Sequence, residues 1–225
     1  MKDRSLLQAG WLGDLPGDFI DRFLALGAWV HVQAGDLVFG IGAEETDLFG
    51  IAKGSARLHI AMNDQELRLA HVCGPGFWFG DFEFVTSIPR TVEIEAAEDL
   101  LLLRIRQGDF SQLARSFPDA WRWIAVLNVQ HAALAISAAD DLMLPLAEQR
   151  VVATLLRLAG RRFAHPASPP LASVPITQQE MAVAANLSRS SAGKVLRNLA
   201  RDGAIAINYG SIEILAPDTL AARLT

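Results

Sequence analysis

The spacing of apolar positions along this chain changes twice, and each change marks a different kind of element. From residue 37 to residue 105 apolar residues come in short runs. Leu37–Phe39, Leu48–Ile51, Arg57–Ala61, Leu67–Val72, Thr91–Ala96 and Leu100–Ile105 predict strands, separated by turn signals at Gly35-Asp36, Gly42, Lys53-Gly54-Ser55, Asn63-Asp64 and Gly74-Pro75-Gly76. Many short strands with evenly spaced turns imply a sandwich or barrel. Ahead of them, Leu12, Leu15, Phe19, Phe23 and Leu26 predict an amphipathic helix. From Ala120 to Met143 the pattern has no Pro or Gly and is apolar nearly all round, with Trp121, Trp123, Ile124, Val126, Leu127, Val129, Leu134 and Ile136. A helix apolar on more than one stripe must bury more than one face. Ile124, Leu127, His131, Leu134 and Ala138 follow coiled-coil spacing and are the candidate dimer seam; a buried helix of a monomer is the other reading. Asp140-Asp141 followed by Pro145 predicts a break and a hinge.

Beyond the break the pattern turns to short capped helices. Leu155–Leu158 continues a first helix, and Arg161 to Pro175, with four prolines, reads as a surface excursion. Thr177 stands three residues before Glu180, the spacing of a capping box. Ser188 opens another helix in the same way, after a tight turn at Ala184-Ala185-Asn186-Leu187. In that second helix Ala192, Val195, Leu196 and Leu199 form a buried stripe, while Arg189, Ser190, Gly193, Lys194 and Arg197 share the opposite face. A helix entering the major groove of DNA needs an apolar back and a front of Arg, Lys and hydroxyls. The arrangement predicts a helix-turn-helix; an ordinary helical hairpin with a solvated basic face is the alternative. Asp202-Gly203 stops the helix, and Ile205, Ile207, Ile212 and Ile214 alternate around Asn208-Tyr209-Gly210-Ser211, predicting a β-hairpin wing.

With Ile176-Thr177-x-x-Glu180, Leu187-Ser188-Arg189-x-x-x-Gly193-Lys194-x-Leu196-x-x-Leu199 and Gly203-x-Ile205, the C-terminal part resembles the Crp/Fnr transcription regulators. Ala34-Gly35-Asp36, Lys53-Gly54, Pro75-Gly76, Gly80-Asp81 and Pro89-Arg90-Thr91 extend the resemblance to the family's cyclic-nucleotide-binding β-roll. The resemblance implies an α+β chain in three parts: a sensor β-roll (1–119), a dimerisation helix and hinge (120–144) and a winged helix-turn-helix domain (145–225). It implies that Arg189, Ser190 and Lys194 face base edges and that Gln179, Ser188 and Ser191 approach phosphates. Ser190 stands where the cyclic-AMP receptor subgroup has Glu, so a different operator is expected. In ligand-binding members the segment matching Gly80 to Thr91 holds the cyclic phosphate, which makes Gly80, Asp81, Arg90 and Thr91 the effector candidates and a cyclic nucleotide the candidate effector. Three departures bear on that site. Asp81 is one methylene shorter than the usual Glu, Glu83 replaces a Gly or Ala, and Ala135 and Ile136 replace hydroxyl-bearing residues. Arg90 either anchors an anion or pairs with Asp81 or Glu83.

Charge fits a sensor joined to a DNA reader. Residues 1–144 hold 11 Lys and Arg against 20 Asp and Glu, a net of −9, and residues 145–225 hold 9 against 5, a net of +4. No apolar run reaches the roughly 18 residues that span a bilayer, and Met1-Lys2-Asp3-Arg4 is not followed by a signal-peptide core, so a cytoplasmic protein is expected. Cys73 alone provides no set of four thiolates for an iron–sulfur cluster. His59, His71 and Cys73 do not match the haem ligands of a carbon-monoxide-sensing branch, and Phe77, Trp78 and Phe79 line either an apolar pocket or a strand core. No acid–base pair or nucleophile arrangement emerges, so the chain is not expected to be an enzyme. The function expected is a homodimeric regulator, controlled by a small effector and acting on a two-fold symmetric operator, with RNA polymerase as a further partner. The other reading is a cyclic-nucleotide-binding module acting on a protein partner.

Overall fold

Pro16 decides where the first helix begins. Leu12 and Leu15 precede it, and Trp11–Asp14 forms a separate 3-10 turn, so α1 covers only Gly17–Ala25 and buries Phe19, Ile20, Phe23 and Leu24. The computed structural model describes residues 7, 9–61, 66–162 and 169–224. The turn expected at Asn63-Asp64, the start Met1 to Arg4 and the middle of the Pro-rich excursion lie outside the described residues. Two compact units make up the chain. One combines the described residues up to Ile60 with Cys73–Ala132, and the other runs chiefly from Ala133 onward with Ala61–Val72.

Among the described residues, eight strands form the N-terminal β-roll: β1 (Ala28–Val32), β2 (Leu37–Phe39), β3 (Leu48–Lys53), β4 (Ala56–Ala61), β5 (Leu67–Cys73), β6 (Trp78–Phe79), β7 (Glu93–Ala96) and β8 (Leu100–Ile105). They pair in the orders β1-β8-β3-β6 and β2-β7-β4-β5. β1 is not among the strands expected from the sequence. It pairs antiparallel with β8, from Ala28 opposite Arg104 to Val32 opposite Leu100. β3 is buried at five consecutive positions, Leu48 to Ala52, because it is covered on both faces. Leu48 and Ala52 join Trp11, Phe19, Phe23, Trp78, Phe84 and Phe110 in one core. Phe49 points the other way and stacks on Phe79 at 5.6 Å between ring centroids. Phe77, Trp78 and Phe79 are therefore core residues, and the Trp78 indole N–H donates to the Leu7 carbonyl at 3.2 Å.

Three more helices complete this unit or leave it: α2 (Asp81–Thr86), α3 (Gln107–Ala114) and the long α4 (Ala120–Met143). The stripe of α4 expected at a dimer seam turns inward at its N-terminal end, while Leu134 and Ala138 further along it are half-buried. Ile124 and Leu127 are fully buried in the aromatic core of their own chain, and His131 stacks on Phe77 with centroids 4.9 Å apart. A second stripe is left in solvent at the spacing of a heptad: Val129 is 67% exposed, Ile136 71% and Met143 83%, flanked by exposed Ala125, Ala132 and Ala139.

The second unit holds α5 (Ala147–Leu158), β9 (Ser173–Val174), α6 (Gln178–Ala184), α7 (Arg189–Arg201), β10 (Ile205–Asn208), β11 (Ser211–Ile214) and α8 (Pro217–Ala221). Its core joins Val151, Val152, Leu155 and Leu156 of α5 to Met181, Leu196 and Leu199, with Ile205 and Ile212 from the strands. No helix among the described residues is long and apolar enough to cross a membrane.

Candidate nucleic-acid interface and effector cassette

The capping box expected at Thr177 is formed. Its hydroxyl accepts from the Glu180 N–H at 3.1 Å, and the Thr177 N–H donates to Glu180 Oε2 at 2.7 Å. The turn that follows places Asn186 at a φ of 49°, a conformation Asn tolerates better than most residues. Ser188 then caps α7 by accepting from the Ser191 N–H at 3.2 Å, and its own hydroxyl donates to Ser191 Oγ at 2.9 Å. The Ser191 proton is thereby left for another acceptor.

Ala192, Leu196 and Leu199 are fully buried beneath α7, as the spacing requires, and Val195 is half-buried. Gln179, Ser188, Arg189, Ser190, Ser191, Lys194 and Arg197 are exposed. Arg189, Lys194 and Arg197 make no ion pair among the described residues. Gly193 departs from the expected front face: it is buried, and a Cβ there would lie 3.2 Å from Arg197 Nη1 and 3.7 Å from Gln178 Oε1. The close neighbour is the mobile end of the Arg197 side chain, and Gln178 of α6 would be at ordinary contact distance. β10 and β11 form the wing, with Asn208 opposite Ser211 and a fully exposed Tyr209 at the tip. β9 adds a third strand, pairing Val174 with Ile212.

In the β-roll, Gly80 to Thr91 folds as a closed cassette around Arg90, whose side chain is 0% exposed. Nη1 of Arg90 is 3.0 Å from Glu83 Oε2 and 3.3 Å from the Gly80 carbonyl, and Nη2 donates to the Asp47 carbonyl at 2.6 Å. The guanidinium lies 4.0 Å over the Phe39 ring. Burial lowers the Arg90 pKa from its ordinary value, and the Glu83 charge opposes that shift. Gly80 has a φ of 90°, and a Cβ there would sit 2.6 Å from Arg90 Nη1, so only glycine admits the cation. Between the two partners the sequence left open for Arg90, the structure selects Glu83. Asp81 faces elsewhere: its carboxylate oxygens lie 2.9 and 3.0 Å from His131 Nδ1 on α4.

One buried charge cluster is only half visible in the sequence. Asp141, expected at a hinge, is fully buried and accepts from Arg157 Nε at 2.7 Å. Arg157 also donates to the Ala70 carbonyl at 3.1 Å, and Arg162 pairs with both Asp140 and Asp141. Burial lowers the Arg157 pKa to about 10. The available signal is an Arg within the apolar run of α5.

A β-roll sensor, a long helix and a winged helix-turn-helix define a DNA-binding regulator with a controlling domain. Residues 29–117 match the cyclic nucleotide-binding domain family, and residues 149–223 match the Crp-like helix-turn-helix domain. The cyclic AMP receptor protein of Thermus thermophilus is 30% identical over 168 residues, 74% of each chain. The nitrogen fixation regulation protein FixK of Bradyrhizobium diazoefficiens is 25% identical over 205 residues, 89% of this chain and 84% of that one. In fold, the chain is similar to the c-di-GMP responsive global regulator CLP of Xanthomonas campestris, with a TM-score of 0.66 at 24% identity over 88% of this chain and 99% of that one. The chain belongs to the Crp/Fnr family of transcription regulators, which bind DNA, act as dimers and answer to an effector.

Proposed function

We propose that two copies of this chain read a two-fold related operator, each placing α7 in a major groove. The recognition helices would then be about 34 Å apart, one turn of DNA. The observation that carries this reading is the front of α7, where Arg189, Ser190 and Lys194 are exposed over a fully apolar back. Arg189, Ser190 and Lys194 reach base edges, while Gln179, Ser188 and Ser191 meet phosphates together with the first-turn amides of α7. The copies meet along the exposed stripe of α4 that contains Val129, Ile136 and Met143. Residues 1–119 sense, residues 120–144 join the copies and form the hinge, and residues 145–225 read DNA. Control is exerted in the cassette that contains Gly80, Asp81, Arg90 and Thr91. RNA polymerase is the partner on the promoter, and the protein works in the cytoplasm, where its DNA lies.

Gel shifts with genomic fragments, followed by footprinting, test the reading: a symmetric footprint supports it, and uniform binding to every fragment overturns it. Arg189→Ala is expected to cost about 1–3 kcal/mol of binding and to relax preference at one base pair, because a bidentate Arg–guanine contact carries sequence information. Ser191→Ala should weaken binding to all sequences alike. Titrating both variants against a set of single-base operator changes checks this, and identical losses by the two variants on every site would overturn the assignment of base and phosphate roles.

A further inference from the structure

The cassette already holds an anion, and that anion, the Glu83 carboxylate, belongs to the chain. Arg90 Nη1 lies 3.0 Å from one carboxylate oxygen of Glu83. The backbone N–H and the hydroxyl of Thr91 donate to the other at 3.0 and 2.9 Å. A guanidinium on one oxygen of a carboxylate and a hydroxyl with a backbone amide on the other are the donors of an oxyanion site, whether the oxygens come from a carboxylate or a phosphate. The Glu83 side chain is only 2% exposed, so this is no surface pair that solvent or a ligand can readily replace. The same short helix, α2, carries Asp81, whose carboxylate holds His131 of α4, and the Asp81 carbonyl accepts from Asn128 at 3.4 Å. α2 therefore brackets the anion site at Glu83 and the long helix at Asp81.

We propose that Glu83 is a tethered stand-in for the anionic group of an effector, holding the cassette in its occupied arrangement without a phosphate-bearing ligand. This rests on the cassette being the control site. A cyclic nucleotide reaches Arg90 only by expelling Glu83, since otherwise two buried anions would face one cation. Any effector of this protein then acts without placing a phosphate on Arg90.

The test uses the whole 225-residue chain, unfolded and refolded to strip bound ligand. Calorimetry with cyclic AMP and cyclic GMP at millimolar concentration should show no binding, and operator affinity should not change when either is added. In E83A the vacated site should accept a free anion. Inorganic phosphate or cyclic AMP should raise the Tm of E83A by ~3 °C or more while leaving the Tm of the unaltered protein unchanged, and should restore operator affinity that the variant loses. If E83A does not fold, E83Q carries this arm. It keeps the volume without the charge, and should bind the operator more weakly and gain nothing from cyclic AMP. Micromolar binding of either nucleotide by the unaltered protein overturns the proposal, as does full operator affinity in E83A or E83Q without added anion. Calorimetry reads nucleotide binding in the absence of DNA, so its outcome for Glu83 is independent of any failure of the dimeric reader to recognise an operator.

Discussion

Asp141→Ala is expected to lower folding stability by about 3–5 kcal/mol, because it strands a buried cation. The Asp141 side chain is 0% exposed and that of Arg157 4%. Arg157 is an interior residue of α5, within the run of buried residues from Val151 to Leu158, and its Nε–H has its acceptor in Asp141. Removing the carboxylate leaves the Ala70 carbonyl as a neutral partner for the guanidinium, and Arg162 loses a counter-ion as well. The pair is not thereby a large net gain for the fold. Two charges taken from water offset most of their attraction, so replacing both residues with apolar ones, Asp141→Leu with Arg157→Met, should recover most of the loss. Urea denaturation of the two variants beside the unaltered protein checks this. A loss of under about 1 kcal/mol for Asp141→Ala would mean that the pair is solvated, and the C-terminal end of α4 would then not be clamped to α5.

Ile136→Glu is expected to split the dimer and to reduce operator affinity by about 10²–10⁴-fold. Ile136 lies at the centre of the exposed α4 stripe, seven residues from both Val129 and Met143. A charge placed there in each copy would be buried against its like across a two-fold axis. Without the partner each reader binds its half-site alone and loses the effective concentration that linkage provides, which is the source of the predicted factor. Ile124→Ala is the matched control on the inward stripe. It should lower stability by about 2–5 kcal/mol through an unfilled cavity in the aromatic core, yet leave the dimer associated. Light scattering and denaturation on the same preparations separate the two faces. Dissociation by the Ile124 change with no effect from Ile136 would return the seam to the stripe that the sequence favoured.

Features whose physics is local are legible in the residues alone. The capping box at Thr177 and Glu180 needs residues three positions apart, and the apolar back of α7 needs only a helical period. The limits of α4 are legible because twenty-four residues without Pro or Gly have nothing to interrupt them. β1 escapes such a reading because its five residues, none of them fully buried, show no clear alternation, and its place is set by pairing with β8 about seventy residues away. Which stripe of α4 faces inward depends on packing across the fold, because both are apolar and periodicity carries no sign to tell core from partner. Packing also sets Arg90 against Glu83 rather than Asp81: the cassette turns the two carboxylates to opposite sides, one to Thr91 and Arg90 and the other to His131. Asp141 and Arg157, sixteen residues apart, lie beyond any local pattern for the same reason. A buried charge is satisfied by whatever the fold brings opposite it, and that partner is chosen by packing across the chain rather than by spacing along it.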